Sequence, residues 1–313
     1  MKEIFYTENK LNYFKNMPGY SMIQKIQLLY FFLLLTVSSY AQLPDTDIWL
    51  LDMTEDGEHY SFSNPLNITN RIGYDNQPVF SPDGKYILYS SVRDDAQADI
   101  YKYIIKSGVT TRFTSTVESE YSPTFTPDGQ FISTVRVEKD SSQRLWKFPL
   151  AGEEPLLVMK EVDSIGYHCW INKDTLALFI LTKPFTLQLV DIKTQKPTIV
   201  ADSIGRCMQK INKNIMLFIR KSSQQEGVIM ELDLANLRTS KIRCYSLTLP
   251  GSEDYVYNGN ILMCNKEQLY VLDCNADKWN QIADFSQYGI TSITRFVISS
   301  DRKKIAIVSN KKM

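Results

Sequence analysis

The sequence predicts an all-β fold: a six-bladed β-propeller of four-stranded blades, its ring closed by N-terminal outer strands joining C-terminal inner strands. Three observations predict it. A strand–turn–strand segment recurs along the chain, a second hairpin type alternates with it, and the two ends of the chain supply complementary halves of one repeat.

The first hairpin type is clearest in Gln77 to Tyr89 (QPVFSPDGKYILY) and Ser122 to Thr134 (SPTFTPDGQFIST), where Phe80 and Phe125 stand 45 residues apart. Trp170 follows another 45 residues on, in HCWINKDTLALF. Proline presets φ for the turn, aspartate caps it and glycine accepts positive φ. Apolar alternation then resumes, as in Tyr86-Ile87-Leu88-Tyr89. Weaker copies turn at Asn212-Lys213-Asn214, Asn258-Gly259-Asn260 and Ser300-Asp301-Arg302, which makes six.

The second type begins with Ile48-Trp49-Leu50-Leu51-Asp52 and recurs at Ile100–Ile104, Leu145–Phe148, Leu187–Asp191, Ile229–Asp233 and Leu269–Asp273. Each copy runs into a polar turn and a further short strand, such as Thr198-Ile199-Val200. Six of each type make six units of about 40 to 50 residues with four short strands, the period of propeller blades. The first hairpin, at Ile48, is of the outer type and the last, at Ile298, of the inner type. One blade is therefore split between the two ends, which removes an open sheet edge.

Composition agrees. Aromatics reach 12%, with 18 Tyr and 15 Phe, and such residues favour strands. The 35 basic and 35 acidic residues balance, without a basic block. This argues against nucleic acid, whose binding rests on phosphate neutralisation.

Leu28 to Val37 (LLYFFLLLTV) is an uncharged apolar run, preceded by Lys25 and followed by Ser39-Tyr40-Ala41. This is the layout of a secretory signal, and it is short for a span of roughly 20 residues. Residues 1–41 are expected to be an upstream extension plus signal peptide, with Met22 as the true start and cleavage after Ala41. Residues 42–313 are expected to be a single propeller domain, periplasmic or secreted and without stable membrane insertion. An uncleaved signal-anchor is the alternative. Export implies an oxidising compartment. Of the five cysteines (Cys169, Cys207, Cys244, Cys264, Cys274), at least one is left over within a monomer. Buried free thiols are expected, with Cys169 and Cys207 the one pair to test for a bridge.

The run SPDGKYILYSS followed by DIYKY resembles the WD40-like (PD40) repeat of TolB-like proteins. The resemblance is specific over residues 67–160, and later blades lack part of the motif. It implies a six-bladed propeller and an exported location, and no single activity, because the fold hosts many functions.

Motifs for catalysis are sparse. There is no nucleophile elbow, Walker loop or dinucleotide fingerprint. His59 and His168 are the two histidines, too few for a site of several imidazoles, so neither metal nor cofactor is expected. The propeller lyases acting on oligogalacturonate resemble this repeat but need a histidine cluster. Asp83 and Asp128 read as turn caps. The pairs Asp45/Asp47 and Asp94/Asp95 read as loop charges rather than calcium ligands.

The remaining candidate is the channel mouth, reached by residues at the start of each inner strand: Asp75, Gln77, Glu120, Tyr121, Tyr167, His168, Arg206, Asp254, Tyr255 and Arg295. Tyr and Arg are enriched in binding hot spots. The expected function is a non-catalytic scaffold holding a protein, peptide or glycan there. The alternative is a polysaccharide lyase or glycoside-processing enzyme with Glu120, Tyr167, His168 and Arg206 converging in the channel.

Overall fold

The computed structural model describes residues 43–57, 59–93, 97–152, 154–223, 226–242, 247–252 and 254–311. The signal segment and its cleavage point, and Asp94 and Asp95, lie outside these residues.

Local turn chemistry starts each blade. In the first inner hairpin, Ser81 Oγ donates to Asp83 Oδ1 at 2.8 Å, and the backbone N–H of Lys85 returns to Ser81 Oγ at 3.0 Å. The same closure recurs with Thr126 on Asp128 and with Ser299 on Asp301, both at 2.6 Å. Gly84 supplies the positive φ, at 67°. These bonds hold Asp83 and Asp128 below the usual carboxylate range, Asp83 at about 2.

The outer strands of the closing blade come first: β1 (Thr46–Asp56) and β2 (His59–Asn67). Blade one is β3 (Asp75–Phe80), β4 (Tyr86–Val92), β5 (Ala98–Ile104) and β6 (Val109–Arg112). Blade two is β7 (Ser119–Phe125), β8 (Phe131–Val137), β9 (Gln143–Pro149) and β10 (Leu156–Leu157). Blade three is β11 (Ile165–Asn172), β12 (Thr175–Ile180), β13 (Thr186–Asp191) and β14 (Pro197–Asp202). Blade four is β15 (Ile204–Lys210), β16 (Ile215–Lys221), β17 (Gly227–Asp233) and β18 (Thr239–Lys241). Blade five is β19 (Tyr255–Tyr257), β20 (Ile261–Asn265), β21 (Gln268–Asp273) and β22 (Lys278–Asp284). Then β23 (Ile293–Ile298) and β24 (Lys304–Asn310) complete the sixth sheet, in the order β2-β1-β24-β23. This is the predicted closure. β1 runs antiparallel to β24 from Thr46 opposite Asn310 to Asp52 opposite Lys304.

The core is divided among the contacts between neighbouring blades. Ile48 and Leu50 of the closing blade pack with Ile87 and Tyr89 of blade one. Leu88 and Ile100 pack with Ile132 and Phe148 of blade two. Val135 and Leu145 meet Leu176 and Leu178, and Phe179 and Leu187 meet Phe218 and Leu232. Leu217 and Ile229 meet Tyr255 and Met263. Leu262 and Leu269 meet Leu51 and Ile305, which returns to the closing blade. Burying one such side chain stabilises by about 1.5–3 kcal/mol, so each blade depends on both neighbours.

One cysteine expectation is corrected. Cys169, Cys207 and buried Cys264 are free thiols, as expected; the correction is Cys274, which is disulfide-bonded. Cys169 and Cys207 are held apart by β-ladder geometry within separate blades: Cys169 pairs with Ala177, and Cys207 Sγ points to the Tyr255 carbonyl at 3.3 Å.

Candidate functional site

The six inner strands surround a cavity of about 460 Å³. Three of them are entered through a repeated local sequence. Asp163-Ser164-Ile165-Gly166 and Asp202-Ser203-Ile204-Gly205 lie 39 residues apart, and Ser292-Ile293-Thr294 repeats their centre. The serines take left-handed φ of 59°, 56° and 49°, which swings the chain from the preceding blade into the inner strand. A Cβ on Gly166 would lie 2.9 Å from Phe179 Cδ1, so a larger residue there would have to displace the buried Phe179 ring. The next residues are Tyr167, Arg206 and Arg295, at one equivalent position in three blades.

The blade period extends that position. Gln77, Ser122 and Tyr167 are 45 residues apart, and Arg206 and Asp254 are 48 apart. Gln77, Ser122, Tyr167, Arg206, Asp254 and Arg295 thus form a ring, one side chain per blade, and all six line the cavity. Two residues further along are Val79, Thr124, Cys169, Met208, Val256 and Val297, which also line it. A polar mouth gives way to a mostly apolar throat.

Charge gathers on one side of the ring. Arg206 meets Asp254 through Nε to Oδ1 at 3.1 Å and Nη2 to Oδ2 at 3.0 Å, and Arg206 also donates to the Thr294 carbonyl. Arg295 Nε lies 3.6 Å from Asp254 Oδ2, beyond hydrogen-bond length, and is buried without a hydrogen-bond partner. Its guanidinium carbon stands 5.4 Å from the centre of the Tyr167 ring. Opposite, Gln77 Oε1 accepts the Ser122 N–H at 2.7 Å and the Ser90 hydroxyl at 2.9 Å, tying blade one to blade two.

Seven of the ten residues predicted from sequence line this cavity: Gln77, Tyr167, His168, Arg206, Asp254, Tyr255 and Arg295. Two of these are withdrawn into the protein. His168 bonds through Nε2 to Ser133 Oγ at 2.7 Å, and burial pulls its pKa down to about 3, so the imidazole stays neutral. Tyr255 is buried, and burial raises its hydroxyl well above the usual range.

Asp75, Glu120 and Tyr121 do not line it, which corrects their assignment to the mouth. The inner strands of blades one and two are bulged: pairing breaks between Asn76 and Val79 and between Tyr121 and Thr124, with Gln77 and Ser122 at positive φ. A bulge cancels simple alternation. Asp75 and Glu120 instead occupy the buried position that Ile165 and Ile204 fill elsewhere. Asp75 is held by Ser91 at 2.6 Å and Arg71 at 3.0 Å. Glu120 is held by Arg136 at 3.2 Å and by the Thr116 hydroxyl. Burial nevertheless raises Glu120 to about 7, outweighing both. Tyr121 packs edge-on against Tyr74 at 6.5 Å. Ser122 was missed as a ring member, although its 45-residue spacing from Gln77 and Tyr167 marked it. Asp45 and Asp47 flank Lys311 Nζ at 3.4 and 3.2 Å; Asp45 precedes β1, whereas Asp47 lies on it, buried and bonded by Asn67 Nδ2 at 2.8 Å, which corrects its reading as a loop charge.

No family model and no curated protein matches the chain. Solved structures do. A protein from Agrobacterium tumefaciens assigned as TolB matches with TM-score 0.62 at 12% identity, over 87% of this chain and 100% of that one. The chain has a TolB-like six-bladed propeller fold. An oligogalacturonate lyase solved with manganese matches with TM-score 0.55 at 11% identity, over 81% and 83% of the two chains. A chain of a nidogen/laminin complex matches with TM-score 0.57 at 9% identity, over 86% and 100%. At these identities the likeness is one of fold. The donor set at the mouth of this TolB-like propeller does not fit a divalent metal, because Asp254 is held by two arginines and His168 by Ser133.

Proposed function

We propose that the protein is an exported, non-catalytic binding scaffold that holds a protein, peptide or glycan partner over the channel mouth. The observation that carries this reading is the ring of Gln77, Ser122, Tyr167, Arg206, Asp254 and Arg295 above an apolar throat. It gathers hydrogen-bonding groups, one aromatic and two arginines, which is hot-spot chemistry. The lyase or glycosidase alternative needs an acid and a base converging on one bond. The described lining supplies a single carboxylate, Asp254, already paired with Arg206, while Glu120 is spent on Arg136. Export rests on the apolar run Leu28–Val37 and the Ser39-Tyr40-Ala41 site, with residues 42–313 as the mature propeller. Among the described residues no helix is long and apolar enough to cross a membrane.

The test is binding of the purified protein to peptide and glycan arrays, with mass spectrometry of the bound probe. Saturable binding that Arg206→Met weakens, with the probe intact, is the expected outcome. Cleavage of a bound polysaccharide would overturn the reading.

A further inference from the structure

We infer that the mouth takes a polypeptide partner by one acidic side chain, seated against Arg295 and flanked by apolar residues; this rests on the binding reading above. Two independent features point to it. The first is charge. Among the described residues lining the cavity, two arginines face one carboxylate. Arg206 spends both nitrogens of its fork on Asp254, whereas Arg295 Nε is buried with no hydrogen-bond partner. Beside it, Arg295 Nη2 donates to the Tyr167 hydroxyl at 3.5 Å, a long bond. Buried donors left open are costly, and a carboxylate is the planar acceptor that a guanidinium fork fits.

The second feature is the rim. The connections β2–β3, β6–β7 and β18–β19 emerge at the mouth end because inner strands begin there, and β12–β13 does so because β12, antiparallel to inner strand β11, ends there. They carry exposed Ile72 (87%), Val117 (71%), Leu181, Phe185 and Leu247. Phe185 continues into the site through buried Phe179, at 4.8 Å, and on to Tyr167, at 5.7 Å. None of these five lines the cavity itself; they are exposed on loops at the end where it opens, and exposed apolar side chains beside a polar cavity mark protein interaction sites. An apolar rim, four of its five named side chains aliphatic, offers sugar hydroxyls no hydrogen bonds, so the combination favours a peptide segment over an acidic glycan.

The experiment uses three probes against the full chain: a blocked peptide library with a central glutamate among leucine, valine and phenylalanine, the same library with central glutamine, and trigalacturonate. The glutamate library should bind at least about tenfold more tightly than the glutamine library. Arg295→Met should abolish that difference, Arg295→Lys should keep part of it, and Val117→Ser should weaken both libraries. Circular dichroism and thermal melting confirm that each variant is folded. Equal binding of the two libraries, or no peptide binding, overturns the inference. Preference for intact trigalacturonate overturns it while leaving the scaffold reading in place, and cleavage of trigalacturonate overturns both. An Arg295-dependent dimer in sedimentation would mean that the rim serves a second copy, and would also overturn it.

Discussion

Arg206 and Asp254 stand at the same position of two neighbouring blades and meet through two parallel hydrogen bonds of 3.1 and 3.0 Å across the channel mouth. The pair ties blade four to blade five and neutralises one of the two mouth arginines. Its loss has consequences for both stability and binding.

Asp254→Asn should destabilise the fold by about 2 kcal/mol, because Arg206, with its side chain 25% exposed, keeps partial access to water. Urea unfolding measures this. The same variant raises the net charge of the described lining by one, so it should tighten binding of acidic probes and steepen its salt dependence. Unchanged stability together with unchanged salt dependence would show that the pair does neither.

Glu120 makes stability pH-dependent. Its folded pKa, raised to about 7 chiefly by burial, lies above the ordinary 4.5. The folded state therefore binds the proton more tightly than the unfolded chain. The resulting stabilisation is complete below about pH 4.5 and is lost as pH rises through about 7. The loss is on the order of 3 kcal/mol. Glu120→Gln should flatten this slope in denaturant midpoints taken from pH 5 to 8, and an unaltered slope would place the titration elsewhere.

The closing blade should count as fully as any other. Leu51 and Leu178 are both completely buried, Leu51 on the strand supplied by the N-terminal end. Each change to alanine should cost about 2–5 kcal/mol. If Leu51→Ala costs less than 1 kcal/mol (roughly one methylene), β1 and β2 are dispensable and the ring closes some other way.

Thiol labelling separates the cysteines. Burial pushes Cys207 up to about 12 and raises Cys169 and Cys264 as well, and the thiolate is the reactive form. Native protein should resist iodoacetamide. Denatured, unreduced protein should take up label at Cys169, Cys207 and Cys264, and at Cys274 only after reduction. Label at Cys274 without reduction would contradict the disulfide.

Blade number, hairpin order and ring closure were legible in the sequence because they rest on local chemistry. The Ser81-Pro82-Asp83-Gly84 turn closes on its own side chains, and strand alternation follows from a period of two. The length of the ring follows from counting. Only the tertiary structure decided which residues face the channel. A bulge at Gln77 and another at Ser122 break the alternation, and a shift of one residue sends a side chain to the opposite face. That is why Asp75 and Glu120, each two residues before a ring member, are buried on Arg71 and Arg136 instead of sharing its face. The pairing of Arg206 with Asp254, and the lack of a hydrogen-bond partner at Arg295 Nε 3.6 Å from that carboxylate, depend on side chains 41 to 89 residues apart in sequence. Closing the ring brings them together, and no local signal encodes that geometry.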